Sequence, residues 1–229
     1  MKLNDVNQVT LLCYKPTMKE RGVFFKKTIE CLFPQEENTN PSLINYHTAV
    51  PIPHLDKIAR FHRENIAKRI NTKDTYYDKP SVFNCALNWY IIMKSLQGVP
   101  GIFMFLEDDC LIENRDYFNQ ILESAPDDFD ILRFHYQNPD FNRMTKINEF
   151  WYKQEDSTHG KHCNCTFGCT ACMIFKPKGI DFYCDFVEEN GFLPADHPLM
   201  NTKDLNHYIH RSDVIKELSF GGLLKSSIQ

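Results

Sequence analysis

No run of about 18 apolar residues occurs anywhere in the chain, which excludes a membrane-spanning helix of ordinary length. Residues 1–8 lack the apolar stretch of a signal peptide, so the expectation is a cytoplasmic protein. A basic excess is absent too. The 26 Lys and Arg residues face 30 Asp and Glu, a formal net charge of −4, which weighs against nucleic-acid binding. No internal repeat or clear boundary divides the 229 residues, and they are read as one domain, 1–229.

What is present is ordinary in bulk, with 42% hydrophobic and 24% charged residues. Phe is abundant at 18 copies, so aromatic packing is expected to fill much of the core. The nine cysteines are odd in number and scattered, and most read as reduced, small core residues.

Patterning predicts strands alternating with helices. Residues 9–14 form an apolar run closed by Lys15-Pro16, a buried first strand. In residues 19–33, Phe25, Ile29, Leu32 and Phe33 share a helical face. A polar loop at 35–41 precedes a second strand at 43–50, and residues 55–70 suggest a surface helix. Pro80 opens a stronger helix in which Cys85, Ala86, Trp89, Ile92, Met93 and Leu96 recur at helical spacing, with Gly98 as its stop. The continuous apolar run at 102–106 reads as a central strand covered on both faces. Further helices are expected at 117–122, 180–189 and 204–210, and further strands at 130–134, 170–175 and 214–218. Residues 137–165 are poorly periodic and read as a long functional loop. The fold class that follows is α/β, a mostly parallel central sheet flanked by helices.

The informative feature is Glu107-Asp108-Asp109, three carboxylates directly after the central strand. Ligands of open α/β sheets bind at the carboxyl ends of strands. If the segment stays extended, Glu107 and Asp109 point the same way and Asp108 points elsewhere. Two close carboxylates repel unless a cation lies between them, and Mg²⁺ or Mn²⁺ would keep positions free for phosphate oxygens. The competing reading is a solvated turn or a helix cap.

The stretch Leu106-Glu107-Asp108-Asp109-Cys110-Leu111-Ile112 behind its apolar strand resembles family 25 glycosyltransferases, which include lipopolysaccharide and collagen galactosyltransferases. Upstream, Asn84-Cys85-Ala86-Leu87-Asn88-Trp89 is similar to that family's Gly-Cys-Ala-Leu-Ser-His segment, departing from it at Asn88-Trp89. Phe129-Asp130-Ile131-Leu132, Gly168-Cys169-Thr170-Ala171-Cys172-Met173-Ile174 and Leu193-Pro194-Ala195-Asp196 resemble later elements of the family, in order. Lys19-Glu20-Arg21 is a loose match to its first turn. The resemblance implies a GT-A fold, Mn²⁺ or Mg²⁺, a nucleotide-diphosphate sugar such as a UDP-sugar as donor, and inversion at the anomeric carbon. It implies a hexosyltransferase, moving galactose or glucose to a glycan, lipid-linked or protein acceptor. Asp109 would then be the direct metal ligand, Glu107 would reach the metal or the ribose, and Asp108 would line the donor site or hold the turn.

Inverting transfer needs a base to take the acceptor proton, and Asp196, in a stiff segment between Pro194 and Pro198, is the candidate. A turn-forming Asp beside proline is the alternative. On the expected 204–210 helix, Asp204 and His207, or His207 and His210, would share a face, making His207 the candidate third metal ligand against the commoner surface histidine. Arg211 is the candidate donor to the diphosphate, against a solvated role.

His159, His162, Cys163, Cys165, Cys169 and Cys172 lack a clean pair of zinc knuckles and are read as core or loop residues rather than a zinc site. Phe141, Phe150, Trp151 and Tyr152 could stack on acceptor sugar rings or simply pack in the core. Two other functions remain open from the residues: a different divalent-metal enzyme, such as a nuclease or phosphohydrolase, and a sugar- or partner-binding module that has lost catalysis.

Overall fold

A computed structural model describes residues 1–13, 19–34, 44–48, 80–134, 141, 144–154, 170–192, 195–200, 202, 204–210 and 215–217. The expected helix at 55–70, the polar loop at 35–41, Arg211 and the histidine–cysteine group from His159 to Cys169 lie outside the described residues.

The chain opens with β1 (Gln8–Cys13), α1 (Lys19–Leu32) and β2 (Ile44–Thr48). Next come α2 (Pro80–Leu96), β3 (Phe103–Glu107), β4 (Cys110–Leu111), α3 (Arg115–Glu123) and β5 (Ile131–Arg133). The remainder comprises β6 (Thr145–Lys146), β7 (Trp151–Lys153), β8 (Cys172–Phe175), α4 (Pro177–Asn190), a 3-10 turn (His197–Met200), β9 (His207–His210) and β10 (Lys216–Glu217). Eight strands form one sheet in the order β2-β1-β3-β8-β5-β9-β7-β6. β7 and β8 alone run against the others, so the sheet is mostly parallel in direction and carries helices on its faces. The expected α/β class is the observed one.

Alternation along β3 divides the core. Met104 and Leu106 join a cluster with Val9, Leu11, Leu132 and Ile174, and Phe118, Ile121 and Leu122 of α3 close over it. Leu32 and Phe33 are buried in the same cluster, with Phe25 and Ile29 against it, the four residues of the expected helical face. Phe103 and Phe105 point the other way, into a cluster with Ile131, Met173 and Phe175 that is covered by Trp89, Ile92 and Met93 of α2 and Ile180 and Tyr183 of α4. This second face leads up to Glu107, because residues two apart on a strand share a side. Gly98, at φ 76°, ends α2 in a conformation that costs glycine little.

Two expectations are overturned. Residues 207–210 form a strand, not a helix: all four are buried, and β9 pairs with β5 on one side and β7 on the other. Ladder hydrogen bonds and packing from both neighbours override the helical reading of His and Asp spacings. The expected loop at 137–165 contains β6 and β7, too short to produce a readable alternation. Trp151 lies at 0% exposure, its indole N–H donating to the Ile121 carbonyl at 3.2 Å and to Ser124 Oγ at 3.1 Å, so it is a core residue and not a sugar platform. Tyr152 is buried as well, with Phe141 against it at 4.6 Å between centroids.

Cys31, Cys85, Cys110, Cys172 and Cys184 are free thiols, buried or half-buried, as expected of reduced core residues. Among the described residues, no helix is long and apolar enough to cross a membrane.

Candidate active site

The acidic run sits at the carboxyl end of β3, where the chain stops being extended. Glu107 is the last strand residue, paired in register with Leu12 of β1, and its backbone N–H donates to the Ala171 carbonyl at 2.9 Å. Asp108 and Asp109 make a turn, and β4 starts at Cys110. The far side of the turn is fastened by Thr28 of α1, which donates to the Cys110 carbonyl at 2.8 Å and accepts from the Ile112 N–H at 3.1 Å. The turn is therefore held at both ends by buried backbone contacts. The alternation argument for Glu107 and Asp109 does not apply here, because the backbone turns between them.

The side chain of Glu107 is tightly specified. Its Oε1 accepts from the Thr170 hydroxyl and, at 3.2 Å, from the indole Nε1–H of Trp89. Trp89 is itself buried, 5.3 Å from the Phe105 ring and 6.3 Å from the Tyr183 ring between centroids. Asp108 and Asp109 are buried at 4% and 6% exposure. Burial, and next the charge of Asp109, push the Glu107 carboxyl up to about 8, against the pull of the Thr170 and Trp89 hydrogen bonds; Asp108 adds a smaller upward push. Negative charge is thus crowded at this end of β3.

Asp196 belongs to the same neighbourhood. Burial raises the Cys85 thiol most, and the charges of Glu107, Asp196, Asp109 and Asp108 raise it further. Tyr183, next to it, is raised by burial and then by Cys85 and Asp196. Asp196 lies in the turn that leads into the 3-10 segment, and its backbone carbonyl accepts from the Leu199 N–H at 3.0 Å. Burial raises its carboxyl while the Arg133 guanidinium draws it back down.

Arg133 is the site residue the sequence reading passed over. It ends β5 at 0% exposure, in register with Met173 of β8 and so on the same side of the sheet as Phe105 and Glu107. Burying a guanidinium is costly unless anions compensate it, and a lone Arg in the strand Ile131-Leu132-Arg133-Phe134 was the available signal. Trp89 and Thr170 were also missed as site residues; Trp89 read as an ordinary core position of α2.

His207 is not brought to the acidic run. The register links it to Ile131, then Phe175, then Phe103, four residues below Glu107 and three strands away. Strand rise and spacing make that separation roughly 15–20 Å, far beyond one ion's coordination sphere. Its Nδ1 instead shares a 2.9 Å hydrogen bond with Thr202 Oγ1, and burial, followed by the charge of Arg133, drives its pKa well down. Asp204 is exposed, and His210 packs among Phe134, Phe150 and Trp151.

Among the described residues, the donors that the 107–109 turn offers a cation are carboxylate oxygens, a hard set that suits Mg²⁺ or Mn²⁺. Among the described residues, no three His, Cys, Asp or Glu side chains form a ready-made metal cage.

No protein-family model matches the chain, and no curated protein does. Similar solved structures include core-mannan synthase A from Aspergillus fumigatus in an Mn/GDP form, at 12% identity over 88% of this chain and 70% of the other, with a TM-score of 0.46. A glycosyltransferase involved in glycosylation of the major capsid of PBCV-1 matches at 10% identity over 80% and 68%, with a TM-score of 0.34. Mouse xyloside xylosyltransferase 1, in apo form, matches at 9% identity over 85% and 80%, with a TM-score of 0.40. Likeness at these scores defines neither a family nor an activity. The family 25 resemblance stands on its short motifs alone.

Proposed function

We propose that this protein is an inverting glycosyltransferase that uses a divalent cation to move a hexose, galactose or glucose, from a UDP-sugar to a hydroxyl of a glycan, lipid-linked or protein acceptor. One observation carries the reading: Glu107, Asp108 and Asp109 follow one another in a fastened turn at the carboxyl end of a central strand, where burial first and the charge of Asp109 next lift Glu107 to about 8. A site that holds a surplus of anionic charge in partial burial favours a bound cation.

Asp109 and Glu107 would hold Mn²⁺ or Mg²⁺, and Asp108 would line the donor side of the turn. When bound, the ion supplies neutralisation of the charge that grows on the departing diphosphate. Asp196 takes the proton from the acceptor hydroxyl as that oxygen attacks the anomeric carbon. Its proximity to Arg133 keeps a buried carboxyl closer to the ionised form a base requires. Arg211 remains the candidate diphosphate contact. His207 has no part in metal binding in this reading.

The test is turnover of a UDP-sugar panel with and without Mn²⁺, by wild type and by Asp109→Ala. Metal-dependent hydrolysis or transfer that disappears in the variant is the expected result. Cleavage of plasmid DNA or of a phosphomonoester abolished by the same substitution would replace the reading with a different metal enzyme. Binding without turnover across acceptors would favour a sugar-binding module.

A further inference from the structure

Both donors to Glu107 act on one oxygen. The Trp89 indole and the Thr170 hydroxyl each point at Oε1, from α2 on one side and from the residue before Ala171 on the other. Neither donor is free to wander. Trp89 is 1% exposed and wedged between Phe105 and Tyr183, and Thr170 is 5% exposed. Ala171, the next residue, accepts the Glu107 N–H, so backbone and side chain of Glu107 are gripped by the same two-residue segment. A carboxylate with Oε1 accepting two hydrogen bonds is held in its rotamer, and these two donors leave Oε2 uncommitted.

The geometry points to Trp89 and Thr170 as positioning residues that commit Oε1 of Glu107 and present Oε2 as its single oxygen for a divalent cation or for the donor's ribose hydroxyl. This inference rests on the transfer reading above. Outer hydrogen-bond partners of ligating carboxylates orient them and raise their effectiveness, and losing one costs about 10-fold or more in metal affinity or activity. Tryptophan suits this task because its only polar group is a donor; it can fix a carboxylate without competing for the cation.

The chain has two tryptophans, which makes the test specific. Trp151 donates to the Ile121 carbonyl and Ser124 Oγ in the opposite core cluster and serves as an internal reference. In proton–nitrogen correlation spectra of the intact protein, one indole signal should move in Glu107→Gln and again when Mg²⁺ and UDP are added to wild type. The signal removed by Trp151→Phe should stay in place. Trp89→Phe and Thr170→Val should each weaken Mn²⁺-dependent UDP binding by about 10-fold while near-ultraviolet circular dichroism stays native. Should Trp89→Phe fail to fold, Thr170→Val and the Glu107→Gln spectrum carry the test unaided. Folded Trp89→Phe and Thr170→Val that bind Mn²⁺ and UDP as tightly as wild type would overturn the positioning role and leave the transfer reading intact. Wild type that binds no nucleotide with any divalent cation would overturn both.

Discussion

Tyr183, buried on α4, donates its hydroxyl to the carbonyl of Ala195 at 3.0 Å, one residue before Asp196. That bond ties the segment carrying the proposed base to the helix that packs beside Trp89 and Phe105. Tyr183→Phe removes the donor and leaves a buried carbonyl unmatched, so a stability loss of about 1–2 kcal/mol is expected in a denaturant melt. The turnover number should fall on the order of tenfold through misplacement of Asp196, with UDP-sugar affinity within twofold of wild type. Asp196→Asn should retain donor binding and lose on the order of 10²–10⁴ in turnover.

Glu107 makes stability depend on pH in an unusual direction. Its carboxyl lies near 8 when folded, against an ordinary 4.5. Between those values the folded chain holds a proton that the unfolded chain has released, so unfolding stability falls as pH rises through that window. Metal-free wild type should melt on the order of 5 °C lower at pH 8 than at pH 5 from this group. Glu107→Gln, which cannot titrate, should flatten that difference in a calorimetric pH series. An unchanged slope in the variant would show that titration of Glu107 is not what drives it.

Moving His207 out of the metal set has its own consequence. Its ring is fully buried and bonded to Thr202, at the opposite end of the sheet register from Glu107. His207→Gln should lower stability by about 1–3 kcal/mol through the disturbed buried hydrogen bond. Mn²⁺ affinity, measured by titration calorimetry with UDP present, should stay within twofold of wild type. A loss of metal binding in the folded variant would restore His207 as a ligand.

What could be seen in the sequence follows from the range of the forces involved. The run before Glu107 was legible because β3 is buried on both faces and needs no alternation. α2 was legible because Trp89, Ile92, Met93 and Leu96 repeat at the period of the helix that buries them. β9 was not, since His207-Tyr208-Ile209-His210 is a strand only because β5 and β7 hold its two edges, and three-residue spacing imitates a helix face. The acidic run was visible, but its fastening was not. Trp89 is 18 residues from Glu107 in sequence and Thr170 is 63, and local patterning carries no record of such contacts. Arg133 was visible as one charge in an apolar strand, and the cost of burying it should have marked it.

Electron paramagnetic resonance of Mn²⁺ bears most directly on whether the 107–109 turn holds a cation against a diphosphate. Adding wild-type protein and UDP together should quench the sharp signal of hydrated Mn²⁺, and Asp109→Ala with native circular dichroism should leave that signal near its free intensity. Equal quenching by wild type and the folded variant would place the ion elsewhere and contradict the assignment of the acidic turn.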